Sequence, residues 1–394
     1  MTLEALSFFD SGQGREILLR HRDVPAKDLP RLVVSLARHS TPFAAEIATM
    51  LRLRLAASGK FSRAQSMYFT ADGLEQASGE RISRYLASRF VRLIGKGVIA
   101  DLTCGIGGSA IFLAEHFTVR AVDIDPVHLA CARHNVEQYG VAGDIAFVQG
   151  RAEENLGPAD AFFIDPQRIR SGRTKTRSLR NSQPDITGLL PRMLEYSKDI
   201  CIKISPAFDY AEIAALPGEP EIEVVSEEDN NKAALLWFGR LKEVGRRATI
   251  LDGDSPVSLD DSIPDDDVFS LASPERYIFI PNKAIAKAGL VGQVASRYGL
   301  ARLGDDLLSG EAVPDLPPRL LRSLAVEAWD DFSIKKAKEM LARLGWTRAE
   351  IVVRGVRIGA EELRKKLKLQ EGGGHTLVAA EVSGRKQLIA GTNI

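Results

Sequence analysis

The sequence predicts an α/β fold: a helical N-terminal region, a central domain built on a mostly parallel sheet, and smaller α/β units at the C-terminus. Three observations carry this. Between residues 66 and 245, short apolar runs rich in β-branched residues alternate with helical stretches, the pattern of a parallel sheet covered on both faces. A glycine-rich turn follows the first of these runs, at the strand end where such sheets bind ligands. The composition is globular, with 394 residues, 45% of them hydrophobic and 26% charged.

Taken in order, residues 1–65 read as helical. Phe43, Ile47, Met50, Leu51 and Leu55 recur at helical spacing, and Ser40-Thr41-Pro42 supplies a start signal. No acid/base or metal-ligand constellation stands out there, so a cap over the sheet or a docking surface is expected. In 66–245, strands are expected at 98–102, 119–123, 145–149, 161–164, 200–204, 222–225 and 233–238, with helical signals between many of them, as at 126–139. Residues 251–272 hold seven aspartates and no Lys or Arg, with Pro256 and Pro264, so 246–272 reads as an acidic linker. A small ferredoxin-like α/β unit is expected at 273–318 and a basic α/β unit at 319–394, where 15 basic residues face 9 acidic ones. The pieces of the last unit are helices near 333–344 and 360–367 and strands near 351–354 and 376–382. Gly372-Gly373-Gly374-His375 reads as a hairpin turn, with His375 structural.

Charge is balanced overall at 52 Lys+Arg and 52 Asp+Glu, so the basic C-terminus hints at a polyanion partner beside the plainer reading of a solvated surface. No apolar run approaches the roughly 20 residues that span a bilayer. The N-terminus lacks a basic patch followed by an apolar core. Cys104, Cys131 and Cys201 make no CxxC pair, zinc ligand set or disulfide framework. The expectation is a soluble, cytoplasmic chain with no metal and no membrane.

The chemistry gathers at strand ends. Asp101-Leu-Thr103-Cys-Gly105-Ile-Gly107-Gly-Ser-Ala110 follows the first strand, so backbone can approach a ligand closely and the next helix offers free N–H groups. Gly105-x-Gly107-x-x-Ala110 also fits the dinucleotide pattern, so this turn alone does not separate NAD from S-adenosylmethionine. Three features favour S-adenosylmethionine. Asp101 would repel a pyrophosphate but pair with the ammonium of a methionine moiety. Asp123, 18 residues after Gly105, can accept both ribose hydroxyls, with Ile124 against the adenine. Asp165-Pro166 closes the fourth strand and aims polar groups where a transferred methyl would emerge, an acid that a dehydrogenase gives no reason for. The plainer reading of Asp165-Pro166 is a strand-ending turn. Cys104 has no assigned base and reads as a small filler residue.

With these residues in view, 66–243 resembles a class I S-adenosylmethionine-dependent methyltransferase domain. The fuller resemblance is to the bacterial methyltransferase family with a C-terminal THUMP-like domain. It rests on Tyr68-Phe-Thr-Ala-Asp-Gly-Leu-Glu-Gln-Ala77, Lys203-Ile-Ser-Pro206-Ala-Phe-Asp209, Arg276-Tyr-Ile-Phe-Ile-Pro281-Asn, and Val353-Arg354-Gly355 with Leu363-Arg-Lys-Lys-Leu367. It implies a Rossmann-like, seven-stranded sheet whose last strand is antiparallel, with Asp101, Gly105 and Gly107 at the methionine end and Asp123 at the ribose; Thr103 lies in the same turn. Two places depart from the family. Arg151 stands where an acid would read the adenine amine, leaving the Ala152 backbone or Glu153 to substitute. The fourth-strand motif reads Asp165-Pro166-Gln167-Arg168, keeping the acid and first proline but not the second proline or the aromatic that holds a base. Methylation of a base amine is therefore not carried over by the motif itself.

Arg168, Arg170, Arg173, Lys175, Arg177 and Arg180 follow that motif with no acid among them, which suits a phosphate backbone beside the methyl exit; a solvated flexible loop is the plainer alternative. Lys203 meets a phosphate or pairs with a carboxylate. Tyr68 and Phe69 read as core packing before base stacking. The expected function is methylation of RNA, tRNA or rRNA, with S-adenosylmethionine as cofactor and Asp165 and Pro166 at the acceptor. Two rivals are an RNA-binding protein on a catalytically degenerate methyltransferase fold and a protein or small-molecule methyltransferase.

Overall fold

The computed structural model describes residues 1–168, 170–171, 174–175, 179–253, 255–265 and 268–394, the side chains at 168, 170, 171, 174 and 175 left aside. The chain forms two compact units: residues 1–221 with 234–243, and residues 222–233 with 244–394.

In the first unit, α1 (Leu3–Asp10), α2 (Gly12–Arg20), α3 (Leu29–Arg38) and α4 (Ala44–Ala57) fill the N-terminal region. Thr2 and Ser11 cap the first two helices, accepting from the Ala5 and Gly14 N–H groups. Helix α4 begins after Phe43, which is left-handed (φ 56°), rather than at Ser40-Thr41-Pro42. There the Phe43 ring packs 5.6 Å from Phe8, so packing sets the start. Then follow α5 (Ala71–Gln76), α6 (Glu80–Ile94), β1 (Val98–Asp101), α7 (Ala110–Ala114), β2 (Thr118–Asp123), α8 (Pro126–Tyr139), β3 (Ile145–Gln149), β4 (Ala161–Ile164), α9 (Ile186–Tyr196), β5 (Ile200–Ile204) and α10 (Tyr210–Ala214). After these, β6 (Glu221–Glu227) falls in the second unit from residue 222 on, and β7 (Asn230–Trp237) returns to the first from residue 234 on.

The strand order of this unit is β7-β5-β4-β1-β2-β3, parallel throughout except β7, which runs antiparallel to β5. That is the expected parallel sheet with its antiparallel last strand. Ile99, Ala100, Val119, Ala121, Phe162, Ile164 and Ile200–Ile202 are all at 0% exposure. Burial on both faces explains why these strands read as continuous apolar runs rather than as alternation. The α6 face contributes Phe90, whose ring meets Trp237 edge-on at 5.6 Å. Beside it Arg89 forms a buried ion pair with Glu221 at 2.5 Å, and Glu221 also accepts from the Glu243 N–H.

In the second unit, 246–272 is not the expected linker. It contains β8 (Arg246–Leu251) and β9 (Val257–Asp260); β8 pairs parallel with β6 and antiparallel with β9. Four acids of this stretch are matched by arginines of the same unit: Asp260 by Arg247 (3.2 Å), Asp261 by Arg246 (3.6 Å), Asp265 by Arg302 (3.2 Å) and Asp252 by Arg319 (2.6 Å).

The stretches 273–318 and 319–394 share one sheet. The chain continues through β10 (Tyr277–Pro281), α11 (Lys283–Ala288), α12 (Val291–Tyr298), β11 (Ala301–Gly304), β12 (Leu307–Gly310), β13 (Leu321–Asp331), α13 (Ile334–Leu344), β14 (Glu350–Arg354), α14 (Ala360–Leu367), β15 (His375–Val382) and β16 (Arg385–Asn393). These strands make one seven-stranded sheet in the order β11-β12-β10-β13-β16-β15-β14, joined across the expected boundary by β10 on β13. Along β15, Leu377 and Ala379 face a cluster with Met340 and Leu341 of α13 and Leu363 and Leu367 of α14, while Val378 and Ala380 face one with Ile278, Leu303 and Leu324. The period of two thus feeds two cores, one on each face. Gly372, Gly373 and Gly374 all have positive φ in the turn before β15, and His375 stacks on Trp346 at 4.2 Å, in keeping with a structural role.

Candidate active site

The parallel strands bring three acids to one edge. Asp101 closes β1 beside Ala121 of β2 and Phe163 of β4. Asp123 closes β2 level with Gln149 of β3. Asp165 follows Ile164, which pairs with Ile202, so Lys203 of β5 arrives level with Asp165. The Lys203 ammonium contacts the Asp165 carboxylate directly. Of the two readings of Lys203, the carboxylate pair is the one that is built, because strand register leaves it beside Asp165 rather than reaching outward to a phosphate.

Asp101 is 1% exposed. Its Oδ1 accepts from the Thr103 N–H at 3.2 Å, while Oδ2 is buried with no hydrogen-bond partner among the described residues. Burial is the main force on its carboxyl, raising it to about 8; the Thr103 N–H opposes this and the charges of Asp165 and Asp123 add to it. An orphaned carboxylate oxygen is costly unless a donor arrives, and a cationic donor suits it best.

The turn between β1 and α7 is held by its own backbone and by Asp123. The Cys104 N–H donates to the Val122 carbonyl (2.8 Å), the Gly107 N–H to the Cys104 carbonyl (2.8 Å), and the Gly105 N–H to Asp123 Oδ2 (2.8 Å). Gly105 and Gly107 have φ of +52° and +88°, which other residues adopt only with strain. A Cβ on Gly105 would meet nothing within 4 Å, so this turn faces open space. Asp123 Oδ1 accepts from the Asp125 N–H at 2.9 Å, leaving each oxygen one further lone pair for a ligand hydroxyl. The neighbouring Ile124 is 53% exposed, an apolar side chain at the site rim with no cover. Ala152, buried, opens a single 3₁₀ turn just beyond β3; the Gly150 N–H before it donates to the Asp123 carbonyl (3.0 Å), which ties that turn to the same rim.

The Thr103 hydroxyl accepts from the Asp165 N–H at 2.8 Å, so it sets the backbone of the Asp165-Pro166 turn. Burial, with the charges of Asp101 and Asp123, pushes the Cys104 thiol well up, as befits a filler residue and not a nucleophile. Beyond Pro166, the backbone of Gln167–Arg168 pairs antiparallel with Ser182–Gln183, and Arg170–Ser171 with Thr174–Lys175. Arg173 and Arg177, and the side chains of Arg168, Arg170 and Lys175, lie outside the described residues.

Sequence reasoning missed His128, Asn135 and Thr70. His128, 3% exposed on α8, stands 3.8 Å from Asp123, 3.4 Å from Asp72 and 4.0 Å from Asp125, and meets the Thr70 hydroxyl at 3.1 Å. Burial disfavours its charge, but the three facing carboxylates, Asp123 foremost, outweigh it and raise its pKa. Asn135, two turns further along α8, donates to the Ile106 and Tyr68 carbonyls and accepts from the Tyr68 N–H. It thereby fastens the glycine turn to the segment before α5. The signal was there: two polar residues seven apart, on one face of a helix that is otherwise packed.

Known proteins match this arrangement. A family model described as RNA cap guanine-N2 methyltransferase matches residues 96–187, and one described as THUMP domain-like matches residues 321–393. An uncharacterized S-adenosylmethionine-dependent methyltransferase of Mycobacterium tuberculosis is 36% identical over 337 residues, covering 82% of this chain and 88% of the relative. Trimethylguanosine synthase of Schizosaccharomyces pombe is 35% identical over 72 residues, 18% of this chain and 30% of its own. A crystal structure from Porphyromonas gingivalis W83, described as a candidate methyltransferase, shares the fold with a TM-score of 0.75 over 99% of this chain and 96% of its own, at 23% identity.

Proposed function

The chain belongs to the S-adenosylmethionine-dependent methyltransferase family, and on that premise we propose that it methylates RNA, tRNA or rRNA, in the cytoplasm. The observation that carries the RNA reading is the match of residues 96–187 to the RNA cap guanine-N2 methyltransferase model, a span that runs from β1 through the Asp165-Pro166 turn and so contains the site itself. The THUMP-like match at 321–393, the basic surplus there, and the name of the yeast relative support it. Among the described residues no helix is long and apolar enough to cross a membrane, and all three cysteines are free, which suits a reducing compartment.

S-adenosylmethionine fits the residues present: the orphaned Asp101 Oδ2 for its ammonium, the open face of the Gly105–Gly107 turn, the remaining lone pairs of Asp123 for the ribose hydroxyls, Ile124 for the adenine face and the Ala152 backbone for its edge. Bound there, it supplies an electrophilic methyl group on a sulfonium. The protein's part is to align the acceptor and exclude water. Asp165, fixed by the Thr103 hydroxyl behind it and Lys203 beside it, accepts a hydrogen bond from the acceptor amine and relieves charge as the new bond forms. Pro166 holds the turn that presents the Asp165 carbonyl. Arg168, Arg170, Arg173, Lys175 and Arg177 grip phosphates on the way in.

The test is transfer of labelled methyl from S-adenosylmethionine into RNA isolated from cells that lack the gene. Label in RNA, lost with Asp165→Ala while RNA binding persists, supports the reading. Binding of RNA with no label in any acceptor favours a degenerate fold kept as an RNA binder, consistent with Gln167-Arg168 in place of proline and an aromatic. Label only in protein or small molecules removes the RNA reading.

A further inference from the structure

Outside the active site, a cleft of about 970 Å³ opens between α2, the turn at 63–68 and the outer face of α8. Five arginines line it, Arg15, Arg22, Arg54, Arg63 and Arg133, against two acids, Asp10 and Glu137. Several arginines outside the cleft face carboxylates, as Arg84 does with Glu80 and Glu115, Arg92 with Glu243, and Arg240 with Asp199. Others, such as Arg120 and Arg348, donate to carbonyls at scattered places, whereas four carboxylate-free arginines line this one concavity. In the cleft, Arg15 donates to the Asp10 backbone carbonyl (2.9 Å), and Arg54 to the Met67 and Ser66 carbonyls (2.9 and 3.4 Å). Arg63 donates to the Gln138 carbonyl and lies over the Tyr139 ring at 5.2 Å; Arg133 lies over the Phe147 ring at 4.8 Å. None of these four has a carboxylate within ion-pair distance among the described residues. The cleft acid Asp10 is itself engaged, by the Tyr68 hydroxyl (3.0 Å) and His134 (3.3 Å).

Carbonyls and rings orient a guanidinium without neutralising it. Four such groups, drawn from positions 15, 54, 63 and 133 and converging on one concavity, repel one another unless an anion joins them. Guanidinium forks match phosphate oxygens in geometry as well as charge. The cleft is open to solvent, and Arg15, Arg63 and Arg133 are exposed at its walls. We propose that this cleft is a phosphate-binding site whose occupant is the sugar–phosphate backbone of the RNA substrate. This rests on the RNA reading above. The N-terminal helices then act as a substrate-docking element, on the same helix α8 that follows Asp123 and, through Asn135, braces the glycine turn.

The experiment compares full-length wild type with the triple variant Arg15→Gln/Arg63→Gln/Arg133→Gln and its charge-keeping counterpart with Lys at the three positions. RNA affinity is measured against salt, S-adenosylmethionine affinity is the control, and pyrophosphate is titrated by calorimetry. The expected result for the Gln variant is a salt slope shallower by about two, since each phosphate contact contributes roughly 0.7–0.9, and RNA affinity near 0.15 M salt weaker by roughly ten- to fiftyfold. Its cofactor affinity stays unchanged, and the Lys variant keeps most of the slope. If wild type binds RNA and the Gln variant matches it in affinity and slope, the cleft is overturned while the RNA reading stands. If wild type binds pyrophosphate through these arginines but no RNA, the phosphate site is supported and the RNA occupant falls with the RNA reading. If wild type binds neither, the proposal is overturned outright.

Discussion

Asp101 makes the sharpest prediction, because the buried Oδ2 ties cofactor binding to a proton. In the free protein its carboxyl titrates near 8, so at pH 6–7 it is mostly protonated. Its raised value means that the unfolded chain, with an aspartate near 3.9, gives up this proton first; the ligand-free fold therefore loses stability as pH climbs from about 4 to about 8. A ligand ammonium reverses that balance by pairing with the ionised form, so the proton must leave when the ligand binds. Each pH unit below 8 then withholds about 1.4 kcal/mol, a factor of about ten in affinity. The α-amino group of the ligand, with a pKa of roughly 7.7–8.0, is charged at pH 6–7 and about half charged at pH 8, so the rise flattens toward pH 8. Titrating S-adenosylmethionine by calorimetry at pH 6, 7 and 8 should show affinity rising up to tenfold per unit. Buffers of different ionisation enthalpy should report about one proton released near pH 7. Asp101→Asn should bind more weakly at pH 8 and show a flat profile, while His128→Gln should keep the wild-type slope. A flat wild-type profile with no proton release would refute the assignment of Oδ2 to the ammonium.

Other sites give further expectations. Asp123→Ala removes the proposed ribose acceptor and frees the Gly105 N–H, so cofactor affinity should fall about ten- to a hundredfold, the scale of about 1.5–3 kcal/mol for a charged hydrogen bond, as read by the same calorimetry. Arg89→Met leaves Glu221 buried at 0% exposure without its cation and should cost about 3–5 kcal/mol in chemical denaturation, most of it recovered when Glu221→Leu is added; equal losses in single and double variants would contradict this. Lys203→Ala should lower the transfer rate by about tenfold or more and leave cofactor affinity unchanged, because its described contact is with Asp165 and not with the glycine turn. A weakened cofactor dissociation constant with an unchanged rate would place Lys203 elsewhere in the mechanism.

What could be read ahead of the structure follows from where information is local. The strands of the first unit were legible because burial on both faces makes them continuous apolar runs. Asp101, Asp123 and Asp165 stood out because each acid comes where such a run leaves the sheet. The residues that brace them were not legible. Asn135 meets Tyr68 across 67 positions and His128 meets Thr70 across 58, and inside a helical pattern their polarity has no local partner to reveal it. Lys203 stayed ambiguous until strand register set it beside Asp165. The aspartates of 246–272 looked like a solvated linker because the arginines that match four of them, as far off as Arg319, are invisible to a local charge count; two strands stand in this stretch. Similarly, the pairing of β10 with β13 across position 318 had no local signal.

The most direct test of the central claim is nucleoside mass spectrometry on total RNA from cells with and without the gene, followed by treatment of the deficient RNA with purified protein and S-adenosylmethionine. The account predicts one methylated nucleoside missing in the deficient cells and restored by the wild-type protein but not by Asp165→Ala. Identical nucleoside profiles, with no methyl group added by the purified protein, would contradict it.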